Sequence, residues 1–433
     1  MHASARLHSD GAREIRARLL AAAVGCSVAL LVPCAGAQAA PVSYFLAATS
    51  NQTGNGASTL VISKPAGVIE GDVMIATIDA ETQNEGFGPP TGWSSTGLFE
   101  GLTNFGEAGI YYHVAGSSEP ASYTWTLGKS RKATGRILAY TGVSSAAPIA
   151  KSATAGEASG TSDKAATVKT AKANSRVILD FGALKASGTF TITGPTGPKQ
   201  RASVFTSGSG SVVGSESVEF LQAAAGETPG TYTFKPSASI PWGEATIALE
   251  PAAAGSLSFD PEPQMPALPA ITLIGKAQLA SATMNSFAVL DTTGSGSGWN
   301  ITVAGDGGTG KSAKFKEYCS NGSEPCGSHA ANSYVTGGQE LPEGSLTLST
   351  LGATWTSPEG ASNPPTFQCT IACALDTSAG HKIVSAAAGK GEGPWTATFA
   401  AGSLSLSALS TLRALLAHEV YRVNLLWTLA SGP

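Results

Sequence analysis

Charge is scarce in this chain. Asp, Glu, Lys and Arg make up 13% of its 433 residues, about half the ~25% usual in soluble domains. Its 26 basic residues do not outnumber the 30 acidic ones, which argues against binding nucleic acid or another polyanion by charge attraction. The sequence holds no Gly-x-Ser-x-Gly elbow and no His-Glu-x-x-His pair, so the local signatures of a serine hydrolase and a zinc protease are missing. Beyond the first 39 residues only four histidines occur, His113, His329, His381 and His418, widely separated along the chain. No catalytic, cofactor or metal constellation is expected from such a pattern. Glycine (52) and proline (24) are abundant, but at about 18% together they stay below the roughly 25–30% of low-complexity disorder.

The apolar stretch Leu19–Val32 is too short for the ~18 residues of a spanning helix. It follows Arg6, Arg13, Arg16 and Arg18 and precedes Ala37-Gln38-Ala39. A basic leader, a short apolar core and a small-x-small site read as a cleaved export signal over 1–39. A lipoprotein reading at Cys26 is the alternative, although the apolar run continues past that cysteine. Cleavage removes four arginines, two acidic residues, Cys26 and Cys34. An even set remains: Cys319, Cys326, Cys369 and Cys373. In an exported chain these are read as disulfides, with the local pairs 319–326 and 369–373 favoured among three connectivities. A four-thiolate zinc site is the alternative, but its knuckle spacing is tighter.

What the sequence has in quantity is alternation. Tyr123-Thr124-Trp125-Thr126-Leu127, Tyr232-Thr233-Phe234, Leu346-Thr347-Leu348 and Ser403-Leu404-Ser405-Leu406-Ser407 place large and small side chains on opposite faces, the mark of half-buried antiparallel strands. Gly, Pro, Asn and Ser clusters separate them as turns. Only Leu409–His418, with Leu409, Leu412 and Leu416 at helical spacing, predicts a short helix. Glu250-Pro251-Ala252-Ala253-Ala254-Gly255 follows a complete strand and lacks large apolar residues. It divides the chain into domains over 41–250 and 256–433, with 251–255 as linker. The expected fold is all-β, with two β-sandwich domains, the N-terminal one jelly-roll-like.

The second half carries Leu257-Ser258-Phe259, Leu290-Asp291-Thr292-Thr293-Gly294, Gly298-Trp299-Asn300-Ile301, Leu341-Pro342-Glu343-Gly344 and a closing Trp427-Thr428-Leu429. In this order the segments resemble the WxL domain, over roughly two fifths of the chain. The resemblance implies non-covalent retention on peptidoglycan and a place on the cell wall. It makes Trp299, Ile301, Trp427 and Leu429 the candidate wall-binding residues. An indole can cover the face of a sugar ring. A Trp within an alternating strand is, however, more often core.

Gly305-Asp306-Gly307-Gly308-Thr309-Gly310-Lys311-Ser312 matches the phosphate-loop pattern letter for letter. That chemistry needs a helix beginning at the lysine. The sequel is short and heads into a Cys/Gly loop, so a turn between strands is expected instead. In the first half, Gly71-Asp72-Val73-Met74, Pro90-Thr91-Gly92-Trp93, Ile110-Tyr111-Tyr112-His113 and Gly135-Arg136-Ile137-Leu138 resemble a β-sandwich of exported bacterial proteins, with no activity attached. The reading reached is an exported surface protein, not an enzyme. It is held on peptidoglycan by its second half and presents the first for binding or adhesion to glycans or other surface proteins. The rivals are a secreted carbohydrate-active enzyme and a subunit of a surface assembly.

Overall fold

The computed structural model describes residues 4–7, 42–81, 86–99, 106–253, 255–320, 326–360 and 362–433. The leader expected at 1–39 lies outside them, except the four-residue strand Ser4–Leu7. The described chain is all-β. It divides into two compact units, one of residues 42–255 with Thr292–Gly294, the other of Ser256–Asp291 and Ser295–Pro433, to which Ser4–Leu7 also belongs.

The N-terminal unit is built twice. Residues 44–141 form a five-stranded antiparallel sheet in the order Tyr44–Gln52, Ala133–Thr141, Val73–Ala80, Glu107–Val114, Ser94–Phe99. Residues 149–249 repeat that order as Ile149–Gly160, Ile240–Leu249, Ser175–Lys185, Val212–Gln222, Lys199–Phe205. The register repeats as well. Met74 stands opposite His113 and Ser94 opposite Tyr112 in the first repeat. Val177 stands opposite Phe220 and Lys199 opposite Glu219 in the second. Each large sheet is backed by a smaller one, where Leu60 faces Trp125 and, correspondingly, Asp163 faces Phe234.

The two large sheets share one core, with Val73, Ile75, Leu138 and Tyr140 meeting Ile178, Ala245 and Ile247. Their other faces are covered by the smaller sheets, around Trp125 in the first repeat and Phe181 in the second. A central strand is therefore buried on both faces. Every residue of Val73–Ala80 is buried, which explains the unbroken apolar run Val-Met-Ile-Ala where an antiparallel strand usually alternates. A polar seam crosses the shared core. The Arg136 guanidinium donates to Asp79 at 2.9 Å and to Asp180 at 3.0 Å, and its Nε–H to Ser217 at 2.7 Å. Thr77 donates to Asp180 and Ser215 to Asp79, both at 2.7 Å. Two buried carboxylates thus share one cation, and hydroxyls fill their remaining acceptor sites.

The C-terminal unit has a core of its own around Phe287, Trp299, Ile301, Leu346, Leu404 and Trp427. Among the described residues three four-stranded sheets and one five-stranded sheet contribute to it. One runs Thr366–Phe367, His381–Ala386, Trp299–Gly305, Leu425–Ser431. Cys319 is bonded to Cys326 and Cys369 to Cys373, the local pairs expected. Leu409–His418 is not a helix. Side chains from elsewhere hold its backbone in place of helical bonds. Gln339 donates to the Thr411 carbonyl and accepts from Arg413 N–H, and the Arg413 guanidinium reaches Glu317 at 2.7 Å. Helical spacing of three leucines is a weak prior, and tertiary contacts override it.

Candidate functional site

The WxL-like residues lie together. Strands Trp299–Gly305 and Leu425–Ser431 are antiparallel neighbours, with Ile301 opposite Leu429 and Val303 opposite Trp427. Alternation turns Trp299, Ile301 and Val303 inward. Gly298 makes this entry feasible, since its φ is +72° and a Cβ there would sit 2.1 Å from the Ala386 carbonyl oxygen. Trp299 and Ile301 are fully buried and Trp427 is 4% exposed, while Leu429 packs partly buried against the same core. The Trp299 indole N–H donates to the Gly391 carbonyl at 2.9 Å, and the Trp427 ring meets Phe287 at 5.7 Å. Neither indole offers a face to a glycan in this fold. These two tryptophans are core residues.

The phosphate-loop look-alike is a turn between strands. Asp306 accepts from Gly308 N–H and binds Lys311 Nζ at 2.7 Å. The chain then enters strand Lys316–Cys319, so no helix terminus faces the lysine.

A concave site lies in the first repeat of the N-terminal unit. It is a shallow cleft of about 400 Å³ lined by residues of three segments: Pro90 and Thr91; His113; and Ser118–Pro120 with Ser122–Thr124. Pro90-Thr91-Gly92-Trp93 is a tight turn closed by Trp93 N–H to the Pro90 carbonyl at 3.2 Å. Gly92 has φ +88°, the value a type II turn demands at its third residue. Trp93, just before strand Ser94–Phe99, sends its indole inward, where it stacks on His113 at 5.4 Å and meets Tyr123 edge-on at 5.1 Å.

His113 is the penultimate residue of strand Glu107–Val114, and Glu119 stands six residues on, across a short connection. Nδ1 of His113 lies 2.8 Å from the Gly92 carbonyl oxygen, and Nε2 lies 2.9 Å from Glu119 Oε1. Both ring nitrogens thus face oxygen atoms. The Gly116 N–H donates to Oε1 at 2.6 Å, and the Tyr123 hydroxyl donates to Oε2 at 2.6 Å. Burial alone would raise the Glu119 pKa, but these hydrogen bonds from Tyr123, Gly116 and His113 outweigh it and hold the carboxyl below its usual range. Burial, together with the bond to Glu119, pushes the Tyr123 phenol far up. The carboxylate is thus a fixed anion engaged at both oxygens, suited to holding the rim in shape and poorly suited to proton transfer.

The sister repeat carries the same Pro-Thr-Gly sequence at the equivalent place, as an open bend, since Pro198 has no N–H to close it. Pro195-Thr196-Gly197-Pro198 corresponds to Pro90-Thr91-Gly92-Trp93, and Gly197 also has positive φ, +108°. Phe220 stands where His113 does, and its ring lies 4.9 Å from Tyr232, the counterpart of Tyr123. The sequence marks His113 only as one of four scattered histidines and as part of Ile110-Tyr111-Tyr112-His113, and nothing in it marks Glu119. The detectable signal was the pairing of two Pro-Thr-Gly turns with two Tyr-Thr-aromatic strands.

No family model matches the chain, and neither a curated protein nor a solved structure is similar to it.

Proposed function

We propose that the chain is an exported surface protein, held non-covalently on peptidoglycan by residues 256–433 and presenting its N-terminal unit for binding or adhesion. The observation that carries this reading is the placement of the two Trp-containing motif segments as neighbouring strands of one sheet. They form the heart of a unit with its own core. Two disulfides within that unit fit an oxidising, extracellular setting. The low charge content and the repeated sandwich of the N-terminal unit suit a rigid scaffold whose loops carry recognition. The rival reading as a carbohydrate-active enzyme gains nothing from the cleft. Glu119 is the one carboxylate among its lining residues, and both oxygens are bonded.

The test is co-sedimentation with isolated peptidoglycan. Residues 256–433 are expected in the pellet and residues 41–250 in the supernatant. If neither fragment pellets while the full chain is folded, wall retention is refuted. Trp427→Ala is expected to destabilise the C-terminal unit by about 3–5 kcal/mol, the cost of emptying a buried aromatic site, as read by denaturant unfolding. An unchanged unfolding midpoint with lost sedimentation would return that ring to the wall contact.

A further inference from the structure

Resting on the surface-binding reading, we infer that the cleft of the first repeat binds a neutral, hydroxyl-rich saccharide and that His113 is the positioning residue that shapes it. The hydrogen-bonding groups come first. Thr91, Ser118, Ser122 and Thr124 line the cleft, all four exposed, and their hydroxyls make no hydrogen bond to the described protein. A hydroxyl donates and accepts, so a cluster of them complements a polyol, whose groups do the same.

Charge comes second. The two Glu119 oxygens are taken by His113, Gly116 and Tyr123, and the two His113 nitrogens by Gly92 and Glu119. The lining therefore has no uncommitted charge to pair with an anionic or cationic ligand, which favours a neutral one. The walls come third. Trp93 and Tyr123 are 6% and 4% exposed, so the open surface between the hydroxyls is the pyrrolidine of Pro90 and Pro120, not aromatic faces. A proline-rich peptide docks on aromatic-lined grooves and finds none here. At about 400 Å³ the cleft lies toward the lower end of the ~300–1,000 Å³ typical of small-molecule sites, a size for a short sugar chain.

His113 sets this place apart from its equivalent. Through Glu119 it fixes the 116–120 connection that carries Ser118 and Pro120, and Glu119 also ties Tyr123, between Ser122 and Thr124. The second repeat has Phe220 instead, and a phenyl ring can hold no carboxylate. Its apolar edge closes on Tyr232 at 4.9 Å.

The test uses the full chain on an array of neutral and acidic oligosaccharides, beside His113→Phe, His113→Gln and the double variant Ser122→Ala/Thr124→Ala. Phenylalanine at 113 is the residue its own sister repeat carries, and thermal unfolding checks that every variant folds. The wild-type chain is expected to retain neutral oligosaccharides, with acidic ones bound no better. His113→Phe and the double variant should each bind about tenfold more weakly, the effect of one or two lost hydrogen bonds. His113→Gln, whose amide can still donate to Glu119, should recover part of the loss. Retention of no neutral saccharide, preference for acidic ones, or wild-type affinity in folded His113→Phe would overturn the proposal. A chain that ignores saccharides yet pellets with peptidoglycan refutes this inference and leaves wall retention standing; failure of both assays refutes both.

Discussion

The two repeats of the N-terminal unit share strand order and register, yet they differ where their side chains must do something. In the first, the layer under the small sheet is apolar: Leu60 and Ile62 lie against Gly135, where an added Cβ would come within 2.7 Å of both. In the second, the matching positions are Asp163 and Glu244, both buried. Glu244 accepts from Ala166 N–H and its other oxygen lies 2.7 Å from the Thr246 hydroxyl, and burial pushes it up to about 8. Asp163 has Glu157 as its charged neighbour, and burial pushes it up to about 6. At the turn the contrast reverses: the first repeat has the hydrogen-bonded His113 and Glu119, the second the apolar Phe220. A duplicated scaffold tolerates polar groups in different places. The His113–Glu119 pair lies half-buried at the cleft, whereas the fully buried acids of the second repeat cost stability.

The largest expected effect comes from breaking the seam that joins the repeats. Arg136→Met leaves Asp79 and Asp180 buried without their cation and should destabilise the unit by about 3–5 kcal/mol in denaturant unfolding. Its counterpart in the second repeat is Ala245, so only one repeat brings the cation. Little change would mean that the carboxylates are held neutral by their hydroxyl partners.

Glu244→Gln sharpens the comparison in the opposite direction. The glutamine oxygen can accept from Ala166 N–H, and its amide can donate to Thr246, whose hydroxyl also bonds the Ala166 carbonyl at 2.7 Å. Glu244 is raised from 4.5 to about 8 by burial. Between those values the unfolded chain has released a proton that the native chain keeps. The wild type therefore loses stability as pH rises through that window and levels off above it. The variant should be more stable by ~1–3 kcal/mol near pH 7 and equal to wild type near pH 4. An equal gain at both values would contradict the buried-acid account.

Glycine at the two equivalent turns gives the smallest effect. Gly92→Ala and Gly197→Ala both place a side chain at positive φ, at a cost of about 1 kcal/mol each. A Cβ at Gly92 also meets the His113 ring at 3.0 Å, while one at Gly197 meets nothing closer than 3.9 Å. The first variant should thus lower the melting temperature more and alter the His113 ring resonances. Equal losses would show that His113 gives way freely.

Much of the fold was legible from alternation alone. Tyr123–Leu127 buries every second residue, and the four cysteines pair locally as their spacing suggested. The duplication was not read, although Pro90-Thr91-Gly92 and Pro195-Thr196-Gly197 stand in the sequence. The repeats keep shape while exchanging chemistry at Trp93/Pro198 and His113/Phe220, so identity is diluted below notice. Double-sided burial of Val73–Ala80 follows from two sheets stacking on a third, which no local pattern reveals. The helix expected at 409–418 fails because Gln339 and Glu317, distant in sequence, and the adjacent Glu419 bind its backbone or side chains. The tryptophans at 299 and 427 point inward because the partner sheets lie on that side, and the cleft joins segments that meet only after folding.

Wall retention without a covalent bond is tested most directly by fractionating bacteria that produce the full chain. The protein is expected in the wall fraction, released by concentrated chaotropic salt without digestion of the glycan. Recovery of all of it from the culture medium, or release only after muramidase cleavage, would contradict that account.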